Sequence, residues 1–459
     1  MDAFDVVVVG SGPGGYRAAV LAALRGRKTA IIERAVWGGC CLNRGCVPKK
    51  DWYHSARLLA RTDTFAGRGL VGSLAGDLRQ AWRHQHEVVD RVRQSYRDYL
   101  RRLGVTALSG HATVKDAGTL SVDGRLVKAQ SIILATGSAP VMPDHIAVVP
   151  DRIIHSDLLF DRPVPGGSRV AVVGGGIIAL EFAYILRLFG KDVTWIVRRD
   201  PFARRDFSPA AMDVLKKGLM AAGVSPRLST VRDATVGAEG VTLALDDGTV
   251  AVDWVLMATG RRPVTDDLGL EAAGIARDSA GFIVVNAYLQ TNRPSLYAIG
   301  DCVSGPMTAN RALFEAAVAV DNIIEPGRRT RTDRLVPEAV YSAVELARVG
   351  LTEEQAEDDG FEPATGFAAF ETSPRALGQD DAEGFVRLVA DMDSGRFLGG
   401  EVVGAEAGEL IHMLAALPAQ GGLRTLSQMA FNHPSRSEEF QNAVETLAAK
   451  WNLPGEIFG

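Results

Sequence analysis

Two stretches of the chain share one order of textures: a β-branched apolar run, a glycine cluster, an apolar segment with helical spacing, and a second apolar run. That order predicts a strand, a tight turn, a helix and a parallel strand, so a βαβ unit is used twice. In the first copy Val6 to Val9 lead into Gly10-Ser11-Gly12-Pro13-Gly14-Gly15, then a helix over about Tyr16 to Leu24 and a strand over Lys28 to Glu33. In the second, Val170 to Val173 lead into Gly174-Gly175-Gly176-Ile177-Ile178-Ala179, a helix to about Phe189 and a strand over Val193 to Val197. Between them, Leu78 to Leu103 mixes Arg, Gln and Glu with spaced apolar residues and reads as a long helix with a wet face. The Pro- and Gly-rich stretch from Pro140 to Gly167 reads as the crossing from the first unit to the second. From Val336 the pattern becomes alternating strands such as Gly384 to Val389, closing with helices around Leu410 and after Ser437. The expected fold is α/β, with two Rossmann-like dinucleotide-binding domains and a C-terminal α+β domain.

The glycine clusters carry specific chemistry. In a GxGxxG loop the first glycine makes the turn, the second lets backbone approach a pyrophosphate, and the third lets helix and strand pack closely. Gly10, Gly12 and Gly15 fit, and Glu33 ends the following strand, where an acid accepts hydrogen bonds from ribose hydroxyls. The second copy keeps Gly174 and Gly176 and has Ala179 third, but its strand ends in Val197-Arg198-Arg199, with Arg204 and Arg205 shortly after. Guanidinium groups there suit a 2′-phosphate, so NADP(H) is expected over NAD(H). Two dinucleotide folds imply two dinucleotides, most economically a flavin and a nicotinamide exchanging hydride.

The acceptor of those electrons is suggested by Gly38-Gly39-Cys40-Cys41-Leu42-Asn43-Arg44-Gly45-Cys46-Val47-Pro48-Lys49-Lys50. If this segment opens one helix, a helical turn brings the Cys41 and Cys46 sulfurs within bonding range, and Lys49 or Lys50 lowers a thiol pKa. A zinc site would need four N or S ligands, and no second Cys or His pair stands at suitable spacing, so no metal is expected. Composition narrows the picture further. Among 459 residues, 50 Lys and Arg face 55 Asp and Glu, a net charge of -5, which offers nothing to nucleic acid or anionic lipid. The strand beginning near Phe4 leaves no room for a cleavable leader, and no apolar run is long enough to span a bilayer, so a cytoplasmic location is expected.

With these features the chain resembles the FAD-dependent pyridine nucleotide-disulfide oxidoreductase family, class I, over almost its entire length. The cysteine segment is similar to the family's GGTCxNxGCxPxK motif, with Cys40 at the threonine position. Ala135-Thr136-Gly137, Ala258-Thr259-Gly260, Gly300-Asp301 and His433-Pro434-Ser435-Arg436-Ser437-Glu438-Glu439 follow in the family's order, and Val349 to Ala356 matches a dimer-domain signature. The resemblance implies FAD held by the loop Gly10, Gly12, Pro13, Gly14 and Gly15 with Glu33, Cys40, Ala112, Thr136, Gly137 and Asp301. Lys50 and Glu181 are implied near the isoalloxazine, with Lys49 able to take the lysine's place. Gly174, Gly176, Ala179, Arg198, Arg199 and Gly260 are implied for NADP, or else NAD. The redox disulfide would join Cys41, the interchange thiol, to Cys46. His433, oriented by Glu438, would be the acid-base and would act across a homodimer interface.

The implied divisions are an FAD domain over 1–145, a nicotinamide domain over 146–262, a segment over 263–335 completing the FAD side, and a dimerisation domain over 336–459. Within the family the build resembles dihydrolipoamide dehydrogenases, in Gly12 to Tyr16 and Gly305-Pro306-Met307, while Val47 to Lys50 and Arg198-Arg199 resemble glutathione reductases. A lipoyl-type substrate, free or protein-bound, leads; a small thiol disulfide, or a quinone in a diaphorase reaction, is the alternative. Tyr96 is a candidate for a tyrosine placed over the disulfide.

Overall fold

The computed structural model describes residues 2–332 and 336–451. The first run of valines becomes the strand Asp2–Val9 at the middle of a seven-stranded sheet, hydrogen-bonded on one side to Thr29–Glu33 and on the other to Arg125–Leu134, both parallel. A parallel strand covered on both faces reads as a continuous apolar run, and Val6, Val7 and Val8 are fully buried. Leu296–Ala298, more than 150 residues later in the chain, adds to the same sheet beside Arg125–Leu134. Helix α1 runs Pro13–Leu24; it starts earlier than the apolar spacing predicts because Pro13, lacking an N–H, suits the first helical position. Helix α2 runs Gly39–Arg44, α3 Cys46–Ala60 and α4 Leu78–Arg102, the last capped by the Asp77 side chain.

The second sheet is ordered Pro226–Leu228, Asp192–Val197, Arg169–Val173, Trp254–Met257, Ile153–His155, all parallel. Its edge strand Ile153–His155 lies inside the stretch read as a mere crossing, because three residues are too few to register as a period. An antiparallel ribbon, Ser138–Pro140 against Arg261–Pro263, joins the two units.

The C-terminal sheet is antiparallel, in the order Glu338–Tyr341, Glu345–Gly350, Phe397–Val403, Phe385–Asp391, Pro363–Ala369. Phe385–Asp391 is buried at nearly every position instead of alternating. One face packs on helices Ala407–Ala415 and Glu438–Lys450. Residues of the other face, Leu346, Phe385 and Val403, share a core with Trp52 and Tyr53 of α3 and with Phe182 of the second unit. Residues 452–459 of the expected dimerisation domain lie outside the described residues.

Candidate active site

One cleft of about 2390 Å³ runs past both glycine loops and the cysteine segment. The loops are built alike. Gly10, at φ +103, and Gly174, at φ +139, would each drive a Cβ into a carbonyl, Ala135 O at 2.3 Å and Ala258 O at 2.2 Å. Each therefore has to be glycine. The two Ala-Thr-Gly turns thus serve as backstops for the two loops, and their threonines tie the units together: Thr136 Oγ1 donates to Val264 O and Thr259 Oγ1 to Val141 O, both at 2.6 Å. A Cβ on Gly15 would lie 1.9 Å from Gly10 O, while Gly175 and Gly176 face open space. Glu33 accepts from Ser11 N at 2.9 Å, Ser11 Oγ at 2.7 Å and Ala35 N at 2.9 Å, which fixes its carboxylate at the cleft wall. Ala112, Thr136, Gly137, Gly260 and Asp301 line the same cleft, and Ser138 Oγ donates to Asp301 Oδ2 at 2.5 Å.

Arg198 and Arg199 stand exposed at the cleft wall beyond Val197, and no ion pair engages them among the described residues. Of the two arginines that follow, Arg204 lines the same cleft and Arg205 does not. Arg204 is paired with Asp206, and Arg205 reaches Glu354 at 2.7 Å and Asp358 at 2.6 Å in the C-terminal unit. Their carboxylate partners occupy them.

The cysteine segment is not one helix. Cys41 lies in α2, the chain breaks at Gly45, and Cys46 opens α3. The break still brings the thiols together, because Cys41 hydrogen-bonds to Cys46. Both are free cysteines. That hydrogen bond, reinforced by Lys49 and Lys50, overrides burial and holds the Cys46 thiol down at about 7, while the same bond and burial push Cys41 well above its ordinary value. Glu181, on the helix Ile177–Leu188, is only 1% exposed. Burial would raise its carboxyl, but Lys49, Lys50 and a hydrogen bond from Tyr341 N at 2.9 Å keep it low and ionised. Lys49 makes the closer ion pair, and Lys50 Nζ is 3.3 Å from Glu181 and 4.0 Å above the Tyr341 ring, so both successive lysines share the one carboxylate.

Cys40 is a thiol of another kind: burial pushes it up to about 12 against the pull of Arg261, whose Nη2 donates to its sulfur at 3.3 Å. Arg261 also meets Asp157 at 2.9 Å, a contact that the pattern around Ala258-Thr259-Gly260 does not announce. Tyr96 lines the same cleft as Cys41, and burial, then that thiol, push its phenol up. It stacks on Tyr16 with ring centroids 4.1 Å apart. Cys302 is fully buried in the first unit's core.

His433 Nδ1 lies 2.8 Å from Glu438 Oε1, and Ser435 N donates to Glu438 Oε2 at 2.7 Å. The imidazole bond, followed by the Ser435 N–H, holds the Glu438 carboxyl below its usual range. The pair is formed, but His433 is 73% exposed and neither residue lines the cleft. Within one chain it does not meet Cys41.

The family model for pyridine nucleotide-disulphide oxidoreductases matches residues 4–316, and that for their dimerisation domain matches residues 336–444. The chain belongs to this family. As a pyridine nucleotide-disulphide oxidoreductase it is a flavoenzyme that uses FAD with a pyridine nucleotide. It is 36% identical to a dihydrolipoyl dehydrogenase of Thermus scotoductus, with 97% of this chain and 98% of that one covered. Among solved structures it resembles LpdA from Mycobacterium tuberculosis, with a TM-score of 0.89 and 25% identity over 97% of this chain and 99% of that one. It also resembles an HOCl-induced flavoprotein disulfide reductase of Escherichia coli, solved as a Cu(II) complex, with a TM-score of 0.84 and 27% identity over 97% and 99% of the two chains. No helix among the described residues is long and apolar enough to cross a membrane.

Proposed function

We propose that this protein is a cytoplasmic homodimer that passes an electron pair between NADP(H) and a lipoyl-type dithiol/disulfide, in the manner of a dihydrolipoyl dehydrogenase. The observation that carries this reading is the unequal thiol pair, Cys41 high and Cys46 at about 7, in a cleft shared by two dinucleotide loops. The first loop fits FAD: Gly10 and Gly15 let the turn close against backbone carbonyls, Gly12 leaves the start of α1 without a side chain or a side-chain cap, and Glu33 is fixed beside it. Gly10, Gly12, Pro13, Gly14, Gly15, Glu33 and Ala112 would hold its adenosine and pyrophosphate, with Thr136, Gly137, Cys40, Asp301, Lys50 and Glu181 around the remainder. Bound FAD supplies the two-electron link between nicotinamide and thiols. Gly174, Gly176, Ala179 and Gly260 would hold the nicotinamide dinucleotide.

The protein's own groups do the thiol chemistry. In the reductive direction His433 of the second subunit takes the Cys41 proton as the Cys41 sulfur attacks one sulfur of the substrate disulfide, and returns that proton to the other sulfur, which leaves as a thiol. Cys46 thiolate then attacks Cys41, closing the Cys41–Cys46 disulfide and expelling the second substrate sulfur as a thiolate, which takes a proton from solvent through His433. Glu438 holds the imidazole for both proton transfers. Tyr16, Tyr96, Leu313 and Phe314 give the cleft an apolar and aromatic lining, which suits an alkyl-chained disulfide better than one recognised through carboxylates.

NADP(H) is favoured because Arg198 and Arg199 occupy the strand end where an NAD site would place an acid. The test is kcat/KM for lipoamide, glutathione disulfide and a quinone, each with both nicotinamides, in wild type and in Arg198→Ala/Arg199→Ala. Lipoamide with NADP(H) should be the best pair, and the double variant should lose roughly one to two orders of magnitude with NADP(H) and little with NAD(H). A wild-type preference for NAD(H), as in most lipoyl dehydrogenases, would refute the cofactor assignment; turnover with the quinone alone would refute the substrate.

A further inference from the structure

The loop that carries His433 and Glu438 is anchored from inside its own chain. Arg436, three positions past His433, is 3% exposed, and its guanidinium lies 5.0 Å from the centre of the Phe370 ring. Its Nε donates to Gln379 Oε1 at 3.2 Å and its Nη2 to the Asp381 carbonyl. The end of α3 grips the same short segment from the other side. Arg57 Nη2 and Arg61 Nη1 reach Asp381 Oδ2 at 3.5 and 3.4 Å, and Arg61 Nη2 donates to the Gln379 carbonyl. Helix α3 is the helix whose first residue is Cys46. A buried guanidinium is costly unless hydrogen bonds offset its burial; among the described residues Arg436 Nη1 has no such bond, so the bonds from Nε and Nη2 are what tie its loop to residues 379–381.

We propose that Arg57, Arg61, Asp381 and Arg436 form a relay of positioning residues through which the redox helix of each chain sets the placement of that chain's His433–Glu438 pair. The inference rests on the intersubunit reading given above, in which that pair serves the thiols of the other subunit. Each chain's α3 then has two outputs, Cys46 at its start for its own site and Arg57 with Arg61 at its end for its neighbour's. Cys46 does not depend on the relay. The near part of α3 has its own hold away from Asp381: Lys49 and Lys50 pair with Glu181, while farther along the Tyr53 hydroxyl meets Glu345 Oε1 at 3.2 Å, an oxygen that Arg57 Nη1 also reaches at 2.9 Å.

Hybrid dimers separate the two outputs. When one chain carries Cys41→Ser and the other His433→Ala, a single complete site remains, with thiols from the second chain and acid-base from the first. Asp381→Asn added to the Cys41→Ser chain should lower disulfide turnover roughly ten- to a hundredfold, the scale of a catalytic group misplaced by about 1 Å, with the nicotinamide KM and the rate of flavin reduction unchanged. The same change on the His433→Ala chain should leave turnover as it was, and Asp381→Glu on the first chain should restore most of it. Should Asp381→Asn fail to fold, Arg61→Gln must show the same dependence on placement. Equal loss from both placements, or loss from neither, would overturn the relay. An inactive hybrid with Asp381 intact would instead overturn the intersubunit reading on which it rests.

Discussion

Cys41 and Cys46 are the same side chain made unequal by their surroundings. Cys46 receives a hydrogen bond from Cys41 and faces Lys49 and Lys50, whereas Cys41 gives its proton to that bond. In the reduced protein the folded-state pKa of Cys46 is depressed, so its thiolate is present above about pH 7 and is lost as pH falls through that value. Cys41→Ala removes the strongest of these influences and should move the titration upward. Thiolate ultraviolet absorbance, read as a difference against Cys46→Ser, measures it; an unmoved midpoint would show that the lysines alone set the thiolate. The motif spacing makes the pair legible, and the two adjacent lysines make a thiolate legible, because both are local in sequence. Which lysine lies closer to Glu181 is not local: it depends on a helix more than 120 residues away, and the structure gives the closer ion pair to Lys49.

At the scale of elements, the duplicated βαβ units could be read from the chain because their turns demand backbone that only glycine adopts without strain. Gly10 and Gly174 do the same thing in the two copies, each backed against the carbonyl of an Ala-Thr-Gly turn. Three features were not legible. Ile153–His155 is too short to show a period, the break between α2 and α3 leaves a helical spacing intact, and Arg205 looks like part of a phosphate site until Glu354 and Asp358 fold onto it. The separateness of the two sheets has a testable consequence. Gly174→Ala should impose about 1–3 kcal/mol of backbone strain, beyond the collision with Ala258 O, and should abolish reduction by nicotinamide while flavin content stays near one per chain. Gly10→Ala should lose the flavin itself. Flavin absorbance of the purified variants decides it, and loss of flavin from Gly174→Ala would mean that the units do not fold independently.

At the scale of the whole molecule, one chain holds the Cys41–Cys46 thiol pair in a cleft and an imidazole–carboxylate pair outside it. His433 and Glu438 are already in hydrogen-bond contact, so what the single chain lacks is only the meeting of this pair with a thiol. The family's dimerisation domain, matched over residues 336–444, contains both residues and gives them a way to reach a second copy. Sequence spacing shows the pair but not its distance from Cys41, which on the intersubunit reading is a property of two chains. If the pair serves a neighbouring site, His433→Ala should lower disulfide turnover by roughly a hundredfold or more, the contribution of a positioned acid-base group, while flavin reduction by nicotinamide is nearly unaffected because that half-reaction needs no imidazole. Dilution provides the independent control. Turnover of the wild type should fall with the dimer population measured by light scattering or sedimentation, whereas the residual turnover of His433→Ala should not follow it. A wild-type monomer with full disulfide turnover would place the acid-base within one chain and require a group other than His433 near Cys41, for which Tyr96, which lines the same cleft, would be the first residue to replace.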